Sequence, residues 1–118
     1  MTLLLEGINR IRYLISDDMD KGQLGTGTAA ATENDTGLET ADATTLLALT
    51  SKTTSNKTIK VNYTLPSTGG TTSTYTEFEV QESATPTNYD RILFTGIAFT
   101  NGGTEDLIIS KKYFIKAV

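Results

Sequence analysis

Between two turn signals the chain alternates strictly, with Ile59, Val61, Tyr63 and Leu65 set against Thr58, Lys60, Asn62 and Thr64. That period of two belongs to a strand with one buried face and one wetted face, and it commits the chain to a β core. Ser55-Asn56-Lys57 before it and Pro66-Ser67-Thr68-Gly69-Gly70 after it are turn chemistry. The flanking segments agree. Residues 44–53 are apolar and β-branched. Residues 71–81 alternate again, with Thr76, Phe78 and Val80 on one face and Tyr75, Glu77 and Glu79 on the other. Residues 83–88, which include Pro86, read as a loop. Residues 91–100 are apolar on both faces, with Gly96 marking a bulge or a close approach. Asn101-Gly102-Gly103 is a hairpin signal before the last strand, residues 107–115. About one residue in five is Thr, which favours strands. The expected fold is mainly β, an antiparallel β-sandwich or barrel with one N-terminal α-helix.

The helix is predicted from Leu4, Ile8, Ile11 and Ile15, which recur at i, i+4, i+7 and i+11, with Leu5 widening the stripe. Thr2 is the expected N-cap. The pattern stops at Ser16-Asp17-Asp18, and Gly22 reads as the stop signal. One helix cannot form a bundle, so the stripe must face the sheet or another subunit. Residues 21–43 show no period and read as a loop. Gly25-Thr26-Gly27-Thr28 is a turn or tight-crossing signal, and Leu38 is the main apolar anchor alongside Leu24. A segment with so few apolar groups is expected to be ordered mainly by another chain. The organisation expected is a single domain over 1–118: helix 1–20, loop 21–43, β-sandwich 44–118. In the last strand Leu107, Ile109, Tyr113 and Ile115 share one face, while Ile108 and Phe114 lie on the other. Two apolar faces need two partners. Leu4, Ile8, Ile11, Ile15, Leu38, Ile108 and Phe114 are therefore the interface candidates.

What is missing narrows the chemistry. The 118 residues contain no Cys and no His. That removes thiol nucleophiles, disulfides, thiolate and imidazole ligands and the Ser-His-Asp triad. The net charge of −4 argues against nucleic acid and anionic membranes as partners. No apolar run approaches the roughly 20 residues that span a bilayer. The first fifteen residues carry Glu6, Arg10 and Arg12 within their apolar part, unlike a secretion signal, so an intracellular product that keeps its N-terminus is expected. No catalytic, cofactor-binding or metal-binding residue is expected.

Several motifs also have plainer readings. Asp35-Thr36-Gly37 matches the aspartic-protease tripeptide, and one Asp per subunit could make a dimeric site. It follows Glu33 and Asn34 rather than an apolar strand, and Leu38 stands where that family has Ala or Ser, so a capped turn is favoured. Asp18, Asp20 and Gly22 resemble part of a calcium loop, but Ala29 occupies the position of the bidentate Glu. The Gly-Thr-Gly-Thr run lacks the lysine of a phosphate loop and follows no predicted strand. Glu77 and Arg91 are expected to form a structural ion pair if their strands are neighbours. Asn34, Asn56 and Asn62 open sequons that carry no weight without secretion.

Two stretches resemble small virion structural proteins of tailed bacteriophages. These are residues 21–28, Lys-Gly-Gln-Leu-Gly-Thr-Gly-Thr, and residues 35–40, Asp-Thr-Gly-Leu-Glu-Thr. Tyr75-Thr76-Glu77-Phe78 resembles that family's Thr-Glu-x-Gly strand, with Glu79 departing from its glycine. Arg91-Ile92-Leu93-Phe94-Thr95-Gly96-Ile97, Glu105-Asp106-Leu107-Ile108-Ile109 and Tyr113-Phe114-Ile115 resemble its later strands. The likeness covers nearly the whole chain at the level of pattern. It implies a β-rich, non-enzymatic homo-oligomer in the virion, assembled in the host cytoplasm and docked on other virion proteins in the tail, neck or head decoration. The rival expectation is a surface- or carbohydrate-binding module of a fibre, for which Tyr75, Tyr89 and Asp90 are the only suggestive cluster.

Overall fold

The computed structural model describes residues 4–55, 58–82 and 87–115. Thr2, the Asn56-Lys57 turn and the Pro86 part of the 83–88 loop lie outside the described residues. One helix and eight strands are present among those described. They are α1 (Leu5–Asp18), β1 (Lys21–Gly25), β2 (Leu47–Ala48), β3 (Ser51–Ser55), β4 (Thr58–Leu65), β5 (Ser73–Glu82), β6 (Thr87–Asn88), β7 (Ile92–Phe99) and β8 (Leu107–Phe114).

The strands form two antiparallel sheets stacked in a sandwich, not a closed barrel. In the first sheet β5 is central, flanked by β1 on one side and by β6 and β7 at different heights on the other, with β2 outside β1. The second sheet runs β3-β4-β8. β4 buries Ile59, Val61, Tyr63 and Leu65, as its alternation predicts, against Leu24, Tyr75, Phe78 and Val80 of the first sheet. The Tyr63 and Phe78 rings meet edge-on at 5.2 Å. Each fully buried side chain of this kind contributes about 1.5–3 kcal/mol.

The structure departs from the sequence expectations at five places. Residues 21–43 do not begin as a loop, because 21–25 form β1, paired along its whole length with β5. Its glycines hid it from any period. Gly22 is no helix stop. It lies in β1 where a Cβ would stand 2.6 Å from the Tyr63 ring and 2.9 Å from the Phe78 ring, so the space belongs to the aromatics. Residues 44–53 are not one strand: a 3-10 turn, Ala43–Thr45, is followed by β2 in the first sheet and β3 in the second. The faces of β5 are partly exchanged, since its pairing with β7 is irregular between Tyr75 and Glu77. Tyr75 thereby joins Phe78 and Val80 in the core, while the Thr76 hydroxyl donates to the Gly27 carbonyl near Glu77. Gly96 lies within that irregularity, between Leu93 and Ile97. Finally, Asn101-Gly102-Gly103 turns the chain from one sheet to the other instead of closing a hairpin. The Gly102 amide donates to Ser67, and the Asn101 side-chain amide reaches the carbonyls of Thr68, Gly69 and Gly70. Gly102 takes φ +80°, which a side chain would disfavour.

The helix packs on β3 and β4. Ile8 is buried and Ile15 half-buried, but Leu4 and Ile11 are exposed, so only half the stripe is covered within the chain. Leu4 itself is the N-cap residue, with no side-chain cap. At the other end Lys52 of β3 donates from Nζ to the Ser16 carbonyl at 2.8 Å, supplying the cation that the acidic last turn lacks.

Candidate functional site

Two regions outside the apolar core stand out: a buried carboxylate centre on the outer face of the first sheet, and exposed apolar surface on α1 and β8.

The carboxylate centre forms because the chain leaves β1 at Gly25 and crosses directly over Glu77. A Cβ on Gly25 would lie 2.4 Å from the Thr40 carbonyl, and one on Gly27 would lie 2.5 Å from both Glu39 and the Glu77 carboxylate. The two glycines are the tight crossing that their spacing predicts. Residues 26–42 therefore fold back as a strap over β5. Glu77, fully buried, accepts from the backbone amides of Gly27 at 2.7 Å, Glu39 at 2.9 Å and Thr40 at 2.9 Å. Arg91 Nε completes the set at 2.8 Å. The expected Glu77–Arg91 ion pair is thus present, across β5 and the start of β7. Arg91 also donates to Asp35 at 3.0 Å and to the Ala29 carbonyl at 2.8 Å, so it ties the strap down in two more places. Burial pushes the Glu77 carboxyl up, but Arg91 and the three amides outweigh it and hold the group below the usual carboxylate range.

Asp35 is the capped turn expected of it. It accepts from the Thr32 amide and hydroxyl at 3.0 Å each, and these bonds, with Arg91, keep it ionised. Leu38 is half-buried in the same strap. The strap is thus fastened to β5 by bonds within its own chain. Polar groups rather than apolar area do the ordering, which is why a count of hydrophobic residues missed it.

Glu79 lies two residues along β5 and is also buried. One of its oxygens has no hydrogen-bond partner. Burial, then the charge of Glu77, pushes its carboxyl up to about 7 against the opposing Leu38 amide. A second hub lies at the other end of the strap. Asp42 accepts from Thr44, Thr71 and the Tyr75 hydroxyl, the last at 2.6 Å. Burial pushes it up, yet these bonds bring it down to about 2. The sequence reading missed Asp42, although Asp before Ala43-Thr44-Thr45 is a recognisable N-cap pattern.

The Tyr75, Tyr89 and Asp90 cluster does not exist as an exposed patch. Tyr75 is in the core, Tyr89 donates to Asp18, and Asp90 is engaged by Lys111, Tyr113 and the Val80 amide. Among the described residues both Glu77 oxygens are engaged by strap amides and Arg91, so the centre fastens the strap to β5.

The apolar surface is different in kind. On α1, Leu4, Leu5, Tyr13 and Leu14 are half or more exposed. On β8, Ile108 and Phe114 are 66 % and 68 % exposed, while Leu107, Ile109 and Tyr113 pack on the core. Among the described residues no helix is long and apolar enough to cross a membrane. No protein family, curated protein or solved structure matches the chain.

Proposed function

We propose that this chain is a non-enzymatic structural subunit of a tailed-phage virion, in the tail, neck or on the head surface, acting as a homo-oligomer docked on other virion proteins. The observation that carries the assembly role is the apolar surface left outside the core on α1 and on the outer face of β8. Large apolar side chains left wet on two elements are candidates for burial against a partner. Assignment to a phage particle rests on the pattern-level resemblance of residues 21–40 and of the later strands. The fibre-type carbohydrate module loses its aromatic cluster to the core and to internal hydrogen bonds. The dimeric aspartic protease is opposed by Asp35, which is ion-paired and held low where a shared proton would require one raised carboxyl.

Light scattering over a range of concentrations tests the assembly role. An oligomer is expected, and Ile11→Asp on the exposed helix stripe should weaken it without unfolding the chain. A parent that stays monomeric at high concentration would refute self-assembly. Stoichiometric recovery of the chain in purified particles tests the virion assignment, and absence from them would overturn it.

A further inference from the structure

The second sheet ends at β8. On its far side from β4 this strand has, among the described residues, neither a strand partner nor a backbone hydrogen bond from residues 107–114 to a turn or loop. β8 is eight residues long and regular, pairing with β4 from Thr58↔Phe114 to Leu65↔Leu107 without a shift. A long, regular open edge is a template for another strand.

We infer that the occupant is the β8 of a second copy, paired antiparallel about Lys111 so that the two three-stranded sheets become one. The inference rests on the reading that the chain self-assembles, and it names the contact.

The register follows from faces and charges. Residues directly opposite in an antiparallel pair share a face, and a slip by one residue would turn the core face of one copy toward solvent in the other. Only registers that set even-numbered residues against even-numbered ones keep both outer faces together. Pairing centred on Lys111 places Ile108 opposite Phe114 of the second copy, and Ser110 opposite Lys112. The two large exposed apolar side chains of the strand then cover each other twice, once on each side of the axis. Centring on Lys112 instead would oppose two bare ammonium groups, and centring on Ser110 would set Lys112 against Ile108. At the axis Lys111 meets its own copy, but each Lys111 ammonium is neutralised by Asp90 of its own chain, which reduces the repulsion between them. On the inner face Ile109 comes opposite Tyr113, extending the apolar core across the junction.

The chain has no cysteine, so disulfide trapping is clean. Ile108→Cys and Phe114→Cys are made separately and mixed under mild oxidation. Opposed strand residues lie about 4.5–5.5 Å apart at Cα, within disulfide reach. The mixture should yield a crosslinked dimer holding one of each variant, and either variant alone should not, since residue 108 is far from residue 108 of the partner copy. Ser110→Cys mixed with Lys112→Cys should behave the same way, and it serves if the first pair disturbs the strand. Thermal melts of the reduced variants check that they fold. A parent that is oligomeric by light scattering, with no selective crosslink in either mixture, would overturn the β8 pairing and leave self-assembly standing. Equal crosslinking of each single variant alone would overturn the register. A monomeric parent would overturn both.

Discussion

The outer faces of the two sheets solve the problem of cover in opposite ways. The first sheet points Glu77 and Glu79 outward and covers them with residues 26–42 of the same chain, fastened by charge-assisted bonds. The second sheet points Thr58, Lys60, Asn62 and Thr64 outward on β4, beside Ile108 and Phe114 on β8, and no strap of described residues covers them. A buried carboxylate cannot wait for a partner, because an uncompensated charge would unfold the subunit. Exposed isoleucine and phenylalanine can wait, since leaving them wet costs only the burial they forgo. Polar cover is therefore built in, and under the proposed assembly the apolar cover would come from another copy.

The sharpest way to break this contrast is Glu77→Ala. It takes from the nearly buried Arg91 its buried carboxylate partner, leaving it only Asp35 and the Ala29 carbonyl, and strips three amides of their acceptor. A loss on the order of 3–5 kcal/mol in chemical denaturation is expected, enough to unfold a small domain or bring it close to unfolding. A loss under about 1 kcal/mol would mean that the strap is held by something else.

The next effect depends on pH. Glu77 is held below its ordinary value, so its contribution is present above that value and lost as pH falls. Glu79 is the reverse. Its folded carboxyl sits at about 7 against 4.5 when free, so the folded chain binds the extra proton and stability declines as pH rises from about 4.5 to 7. Glu79→Gln should remove this slope, raising stability at pH 8 by on the order of 2 kcal/mol and changing little at pH 4. Thermal melts across that range decide it; parallel parent and variant curves would show that Glu79 is solvated.

The smallest effect on folding, and the largest on assembly, should come from Phe114→Glu. The parent side chain is two-thirds exposed, so subunit stability should move by less than about 0.5 kcal/mol while oligomers are lost. Lys112→Glu, opposite a serine in the inferred pairing, should keep the oligomer. If both variants assemble like the parent, the outer face of β8 is ordinary surface.

The β core was legible because β4 carries an undisturbed alternation, and all four of its apolar side chains are buried as that pattern requires. β1 was not legible, since Gly22 and Gly25 make room for Tyr63, Phe78 and Glu77, and a residue that creates space leaves no hydrophobic signal. The Glu77–Arg91 pair could be anticipated from two charges in strand-like surroundings. Its three backbone donors could not, because they depend on where a strap with no period of its own crosses the sheet. Tyr75 was assigned to the wrong face for a related reason, as an irregular register shifts an alternation without leaving a trace in composition. The helix stripe was read correctly as a helix, but periodicity cannot tell which half of an apolar stripe the same chain covers.

The span of the bonds to Glu77 has a kinetic consequence. Its carboxylate is met by amides 50, 38 and 37 residues earlier in the chain. Contacts that close such long loops form only after local hairpins such as β3–β4 have reduced the entropy of the chain. The strap should be absent from the folding transition state and should act instead as a latch on the finished subunit. Gly27→Ala, which forces a methyl group into the crossing, should then speed unfolding while leaving the refolding rate nearly unchanged in stopped-flow measurements. The lifetime of each folded copy, rather than its speed of formation, is what the crossing glycines control.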